Sequence, residues 1–246
     1  MIINGLQKTT LLDFPGRVAC TVFFGGCDLR CPFCHNAGLV LAPQDEPFVS
    51  EEEFFRFLNK RQGILDGVCV TGGEPLMQRD IERFIMRIKE TGFLVKLDTN
   101  GTFPDKLKAL IEKGLLDYIA MDIKSSLKNY KKAVGLRDFD TACIISSADM
   151  IMQSGVPYEF RTTAAKGLIE ASDFASIGEW LDGAERYFIQ AFRDGDTLIY
   201  KTARTDDSGR MPLPISPLSE FTAEELRAFS DIVRPHFGEV GIRGAD

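Results

Sequence analysis

The chain has 246 residues, 44% hydrophobic and 26% charged, with a net charge of −7 from 29 basic and 36 acidic side chains. This length suggests one large domain or two small ones, and the ordinary composition excludes a disordered or fibrous chain. An acidic balance without a basic run argues against nucleic-acid binding as the main task. No apolar stretch approaches the roughly 20 residues of a membrane helix, and residues 1–8 lack the charged-then-apolar pattern of a secretion signal. The expected location is the cytoplasm, where thiols stay reduced.

Taken in chain order, short β-prone apolar runs alternate with helical patterns. Strands are expected at 19–24, 68–71, 94–98, 118–122, 158–162 and 187–191. Their continuous apolar character suits strands covered on both faces, as in a parallel sheet. Between them, Ser50 followed by Glu53 has capping-box spacing. A helix over 80–91 carries Ile81, Phe84, Ile85 and Ile88 and stops at Gly92; those over 104–113 and 141–154 stop at Gly114 and Gly155. A further helix is expected over 172–181, and Thr222 with Glu225 opens the last one. Regular β-then-α alternation implies right-handed crossovers and a parallel sheet. Six units are too few for a closed eightfold barrel, so the expected fold is α/β, a partial open (β/α)6 TIM-like barrel, with a doubly wound open sheet as the fallback. We expect a single domain over 1–246, with its core at about 17–192 and a C-terminal loop and helix extension at 193–246. Residues 193–218 read as one long irregular stretch, of a kind that often serves as a binding loop.

Polar residues collect where this fold puts its chemistry. Cys27 follows the first strand and Gly72-Gly73-Glu74 the second; Asp98-Thr99-Asn100 ends the third, Asp122 and Lys124 the fourth, Arg161 and Thr162 the fifth, and Gln190 the sixth. The C-terminal ends of parallel strands form the functional face of such folds, so these groups should meet in one pocket.

Three of the six cysteines fall in Cys27-Asp28-Leu29-Arg30-Cys31-Pro32-Phe33-Cys34, spaced C-x3-C-x2-C. Three thiolates on one loop suit a [4Fe-4S] cube with one iron left open to a non-protein ligand, whereas ferredoxin-type sites use four. A Cys3His zinc site completed by His35 and a redox pair of Cys31 with Cys34 are the alternatives. Cys20, Cys69 and Cys143 sit in apolar contexts that suit core packing.

The cysteine motif with an aromatic before its last thiol resembles that of the radical S-adenosylmethionine (SAM) enzymes. Thr71-Gly72-Gly73-Glu74-Pro75 resembles their GGE segment. Leu97-Asp98-Thr99-Asn100-Gly101, Met121-Asp122-Ile123-Lys124, Cys34-His35-Asn36 and Leu12-Asp13-Phe14-Pro15-Gly16 are similar to segments of the glycyl-radical-enzyme activases, in particular the activating proteins of anaerobic ribonucleoside-triphosphate reductase. The likeness covers most of residues 1–192. It implies a partial (β/α)6 barrel and a single [4Fe-4S] cluster on Cys27, Cys31 and Cys34. It also implies SAM contacts from Phe33, His35, Gly72, Gly73, Glu74, Asp98, Asn100, Asp122, Lys124 and Gln190. A monovalent cation on Asp98, Thr99 and Asp122 is a further implication. The implied reaction removes a glycine Cα hydrogen from a partner glycyl radical enzyme under anaerobic conditions, with a flavodoxin- or ferredoxin-type electron donor; action on a small molecule such as a deazapurine precursor is the alternative.

Overall fold

A computed structural model describes residues 1–202 and 217–245. Among the described residues, ten strands run β1 (Ile2–Ile3), β2 (Gly5–Thr10), β3 (Ala19–Phe24), β4 (Val49–Ser50), β5 (Gly67–Gly72), β6 (Leu94–Thr99), β7 (Tyr118–Asp122), β8 (Tyr158–Ala164), β9 (Ala184–Ala191) and β10 (Phe237–Arg243). The helices are α1 (Ala37–Leu41), α2 (Glu51–Asn59), α3 (Ile81–Glu90), α4 (Pro104–Glu112), α5 (Tyr130–Ala133), α6 (Ala142–Gln153), α7 (Ala171–Trp180), α8 (Ile199–Thr202) and α9 (Ala223–Val233). None of the described helices is long and apolar enough to cross a membrane.

The main sheet has the order β10-β9-β8-β7-β6-β5-β3-β2. From β3 to β10 every neighbouring pair is parallel, and β2 is antiparallel to β3. The edges β2 and β10 do not pair with each other, so the barrel is open. The six expected strands form its centre. The C-terminal extension differs from expectation: beyond α9 it returns as a seventh parallel strand, β10, laid along β9 with Ile242 opposite Ile189. The expected irregular stretch 193–218 is also interrupted by the short helix α8, and residues 203–216 lie outside the described residues.

Local chemistry explains the elements. Ser50 Oγ accepts from the Glu53 amide (3.2 Å) while Glu53 Oε2 accepts from the Ser50 amide (3.0 Å), closing the first turn of α2. Thr222 and Glu225 do the same for α9. Helix α3 buries Ile81, Phe84, Ile85 and Ile88, the stripe expected of a helix with one face on a sheet. Phe84 meets Phe24, Phe54 and Phe55 at centroid separations of 5.3 to 5.5 Å, joining α2 and α3 to β3.

Strand alternation sets up the site. Lys96 and Asp98 alternate with Val95 and Leu97 in β6, and Glu159, Arg161 and Thr163 alternate with Phe160 and Thr162 in β8. Successive side chains point to opposite faces. Asp98, Arg161 and Thr163 line the cavity at the strand ends, so the charged positions face the inside of the barrel while Val95, Leu97 and Phe160 pack in the apolar core.

Candidate active site

The cavity at the C-terminal strand ends is walled by the loop after β3 (Cys27, Cys31, Phe33, Cys34, His35, Asn36), the end of β5 (Thr71, Gly72, Gly73), the end of β6 (Asp98, Thr99, Asn100), the end of β7 (Asp122, Lys124), and Arg161 and Thr163 of β8, with Ile199 of α8. The structure therefore brings together all three motif cysteines and most of the expected SAM contacts. Two expected contacts lie elsewhere. Glu74 is fully buried behind the wall, and Gln190 lies in β9 opposite Thr163, off the cavity lining. Thr162 also turns away, its hydroxyl donating to the Ile123 carbonyl (2.8 Å), and Thr163 takes the place expected for it.

The glycine turn is explained by backbone crowding. Gly72 has φ +131, and a Cβ there would overlap the backbone of Phe24; a Cβ on Gly73 would overlap the Gly26 carbonyl. The Gly73 and Glu74 amides donate to the Phe24 and Gly26 carbonyls (both 2.8 Å), fastening the turn to the start of the cysteine loop. Glu74 completes this joint. Its carboxylate accepts from the Leu76 amide (3.0 Å), Thr99 Oγ1 (2.9 Å) and the Asn100 amide (2.7 Å). Burial pushes its carboxyl up to about 7, against the pull of those donors. Glu74 is thus a brace between the ends of β5 and β6.

The cysteine loop is held from several sides. The Cys34 amide donates to the Cys31 carbonyl (3.0 Å), and the Arg30 amide donates to the Val134 carbonyl (2.9 Å) beyond α5. From α8, the Ile199 and Tyr200 amides donate to the carbonyls of Cys34 and Pro32 (both 3.1 Å). The Leu29 amide (3.4 Å) and Asn100 Nδ2 (3.7 Å) point at Cys27 Sγ. Burial raises all three motif thiols above the ordinary cysteine value, Cys31 to about 12; Lys124 pulls Cys31 and Cys34 the other way. Such thiols give up their protons to a metal, whose charge outweighs the burial.

The donor set fits a [4Fe-4S] cluster. Its three thiols line one cavity with N–H groups aimed at sulfur, and no fourth cysteine joins them: Cys20 and Cys69 are buried in β3 and β5, and Cys143 lies half-exposed in α6 rather than buried. Among the described residues, no three His, Cys, Asp or Glu side chains converge on a point for one metal ion. The His35 ring packs near Phe192, with centroids 6.1 Å apart.

Above the loop lies a charge network. Asp122 accepts from Arg161 Nε (2.9 Å) and Lys124 Nζ (3.0 Å); Asp98 accepts from Arg161 Nη1 (3.2 Å) and from Lys96. Burial raises the Asp122 carboxyl, but Arg161 and Lys124 prevail and hold it down at about 2. Lys124 Nζ also stands 5.7 Å from the Phe33 ring centre. Arg161 lines the pocket as its place at the end of the fifth strand implied, though no contact was assigned to it, whereas Lys96 was not expected from sequence. Their signal was available as charges at alternate positions within apolar strands.

A parallel barrel that gathers three thiols, a glycine turn and fixed charges at its strand ends has the makings of an enzyme built around a metal cluster and a small charged ligand. Residues 21–172 match the Radical SAM superfamily, and the chain belongs to that family. Membership implies a [4Fe-4S] cluster and SAM as cofactors. The chain is 29% identical over 246 residues to the "Putative glycyl-radical enzyme activating enzyme" of Methanocaldococcus jannaschii, spanning 98% of this chain and 95% of that one. It is 31% identical over 174 residues to the pyruvate formate-lyase-activating enzyme of Listeria monocytogenes, spanning 65% and 66%. In fold it is similar to Streptococcus suis SuiB bound to S-adenosylmethionine, with a TM-score of 0.64 at 14% identity, over 91% of this chain and about half (52%) of SuiB.

Proposed function

We propose that this protein activates a glycyl radical enzyme, with anaerobic ribonucleotide reductase as the partner class. Cys27, Cys31 and Cys34 would hold the cluster. When bound, that cluster would supply the electron, taken from a flavodoxin- or ferredoxin-type donor, for reductive cleavage of the SAM sulfonium, and a glycine Cα of the partner would be the hydrogen donor in the proposed activation.

The observation that carries the family-level reading is the meeting of three thiols with two paired carboxylates and cations, Asp98 and Asp122 with Lys124 and Arg161, in one cavity. The activase reading is supported by the match to a protein named as an activating enzyme along nearly the whole of both chains.

The chain's own residues have definable tasks. Gly72 and Gly73 keep the wall thin where β5 meets the cysteine loop. Asp98, Asn100, Asp122 and Lys124 present paired hydrogen-bonding groups to the amino and carboxylate ends of SAM, and Phe33 and His35 offer ring faces beside the loop. The amides at Leu29 and Asn100 stabilise negative charge on the Cys27 sulfur, a contact of the kind that tunes cluster potential.

The test combines the reduced, reconstituted protein with SAM and a co-encoded glycyl radical enzyme. Electron paramagnetic resonance should show a glycyl radical on the partner, with 5′-deoxyadenosine formed alongside. No radical on any co-encoded partner, together with turnover of a deazapurine precursor, would transfer the assignment to small-molecule chemistry.

A further inference from the structure

The Asp98, Thr99 and Asp122 oxygens expected to hold a monovalent cation are already engaged by the protein. Asp98 Oδ1 accepts from Lys96 and Oδ2 from Arg161; Asp122 Oδ1 accepts from Arg161 and Oδ2 from Lys124. Thr99 Oγ1 donates to Glu74 (2.9 Å) and accepts from the Gly101 amide (3.1 Å). With Glu159, which also faces Arg161 and Lys96, and its partner Arg243 included, four fixed positive charges (Lys96, Lys124, Arg161, Arg243) face three carboxylates (Asp98, Asp122, Glu159). A free cation placed among them would meet net repulsion, whereas an incoming carboxylate would be matched by the one surplus charge. The residues do not fit a separate cation.

We propose that the Lys96 ammonium, with the Arg161 guanidinium beside it, takes the position of the cation, so that SAM binding by this protein needs no free monovalent ion. The inference rests on reading the cavity as the SAM site. Lys96 suits the task for three reasons. It is 1% exposed and starts two residues before Asp98 on the same strand face, so its ammonium is tethered beneath that carboxylate and shielded from exchange with solvent. It donates to Asp98, with the Tyr118 ring centre 6.0 Å away, so its hydrogen bond is directed at the site while its charge also reaches Glu159. An ammonium is also a compact point charge with several donors, closer to a hydrated alkali ion in behaviour than a planar guanidinium is. Asp98 is thereby held ionised and oriented without help from solution.

The test measures SAM affinity by equilibrium dialysis, and thermal melting, on the cluster-loaded protein in potassium chloride and in choline chloride at equal ionic strength. An ion that binds only the folded state raises the melting temperature with its concentration. Wild-type protein should show the same melting temperature and SAM affinity in both salts. Lys96→Met keeps the bulk and removes the charge; it should lose about tenfold in SAM affinity in choline and regain most of it in potassium. If Lys96→Met does not fold, Arg161→Gln takes its place in the same comparison. A potassium-dependent rise in wild-type affinity or melting temperature would overturn the proposal, and so would a variant that potassium leaves unchanged. Failure of the wild type to bind SAM in either salt would count against the SAM-site reading itself, while the melting comparison would still decide whether a free ion binds.

Discussion

At the N-terminal end of the strands, Glu159 is 1% exposed and its carboxylate accepts from Arg243 Nη1 and Nη2 (2.7 and 2.8 Å) and from the Tyr118 hydroxyl (2.9 Å). Both of its oxygens are engaged, Arg243 being its main cation with Arg161 and Lys96 acting on it from further off. At the C-terminal end, Asp98 and Asp122 share Lys96, Arg161 and Lys124, and three thiols stand nearby. The cavity at the settled end is the larger, about 690 Å³ against about 260 Å³. Volume therefore does not mark the site here. What separates the ends is that the C-terminal cavity adds three thiols and a glycine turn to its ion pairs, whereas the N-terminal one has neither.

Four experiments would break or sharpen this contrast. The largest effect is expected from replacing Cys27, Cys31 and Cys34 together with alanine. Iron uptake on anaerobic reconstitution should fall from about four per chain to none, while Cys20→Ala and Cys69→Ala retain it. Stoichiometric zinc with no iron in the wild type would remove the basis of the assignment.

At the other end, Arg243→Ala leaves the Glu159 carboxylate buried with Tyr118 as its remaining hydrogen-bond donor and Arg161 and Lys96 as the remaining positive charges near it. Chemical denaturation should show a loss of roughly 3 kcal/mol, toward the low side for a broken buried pair because the Arg243 side chain is 38% exposed. Its SAM affinity should be unchanged. Lys124→Ala should reverse the pattern, weakening SAM binding by about 10- to 100-fold, as for a lost hydrogen bond to a charged group, with the cluster intact. Equal effects of these two substitutions on SAM binding would erase the distinction between the ends.

The smallest effect concerns acid. Burial raises the Glu159 carboxyl, but Arg243 outweighs it and holds it below the ordinary glutamate value. A depressed folded value contributes stability that is present above the unfolded pKa and lost as pH falls through the folded one. Between about pH 5 and 3, wild-type melting temperature should therefore drop more steeply than that of Glu159→Gln. Parallel curves would mean that the pair contributes little.

Much of this was legible in the sequence because the central strands are continuous apolar runs and the helices carry caps and glycine stops. The two edge strands were not. Gly5–Thr10 is polar and largely exposed, and Phe237–Arg243 contains two glycines and is mostly half-exposed, so neither gives the buried signal of strands such as Val68–Val70. Short polar edges are what an open sheet requires if it is not to recruit further strands. The cysteine loop and the glycine turn were readable because their spacing is rigid. Lys96 was harder than Arg161, which stands at a strand end, since a single charge inside a strand signals nothing until the alternation with Asp98 shows that the face is polar. Glu74 misled for a different reason: it adjoins the glycine pair in sequence, yet it turns behind the wall to join β5 to β6.

The backbone pairing between α8 and the cysteine loop has a consequence for how the protein is made. The motif emerges early in synthesis, but the Pro32 and Cys34 carbonyls find their donors only at Tyr200 and Ile199, after the central strands have been translated. A nascent chain could expose its three thiols long before the loop is fully fixed. Delivery of iron and sulfide by the cell's assembly machinery should then succeed best on the finished polypeptide, and chains released before residue 200 should be poor acceptors.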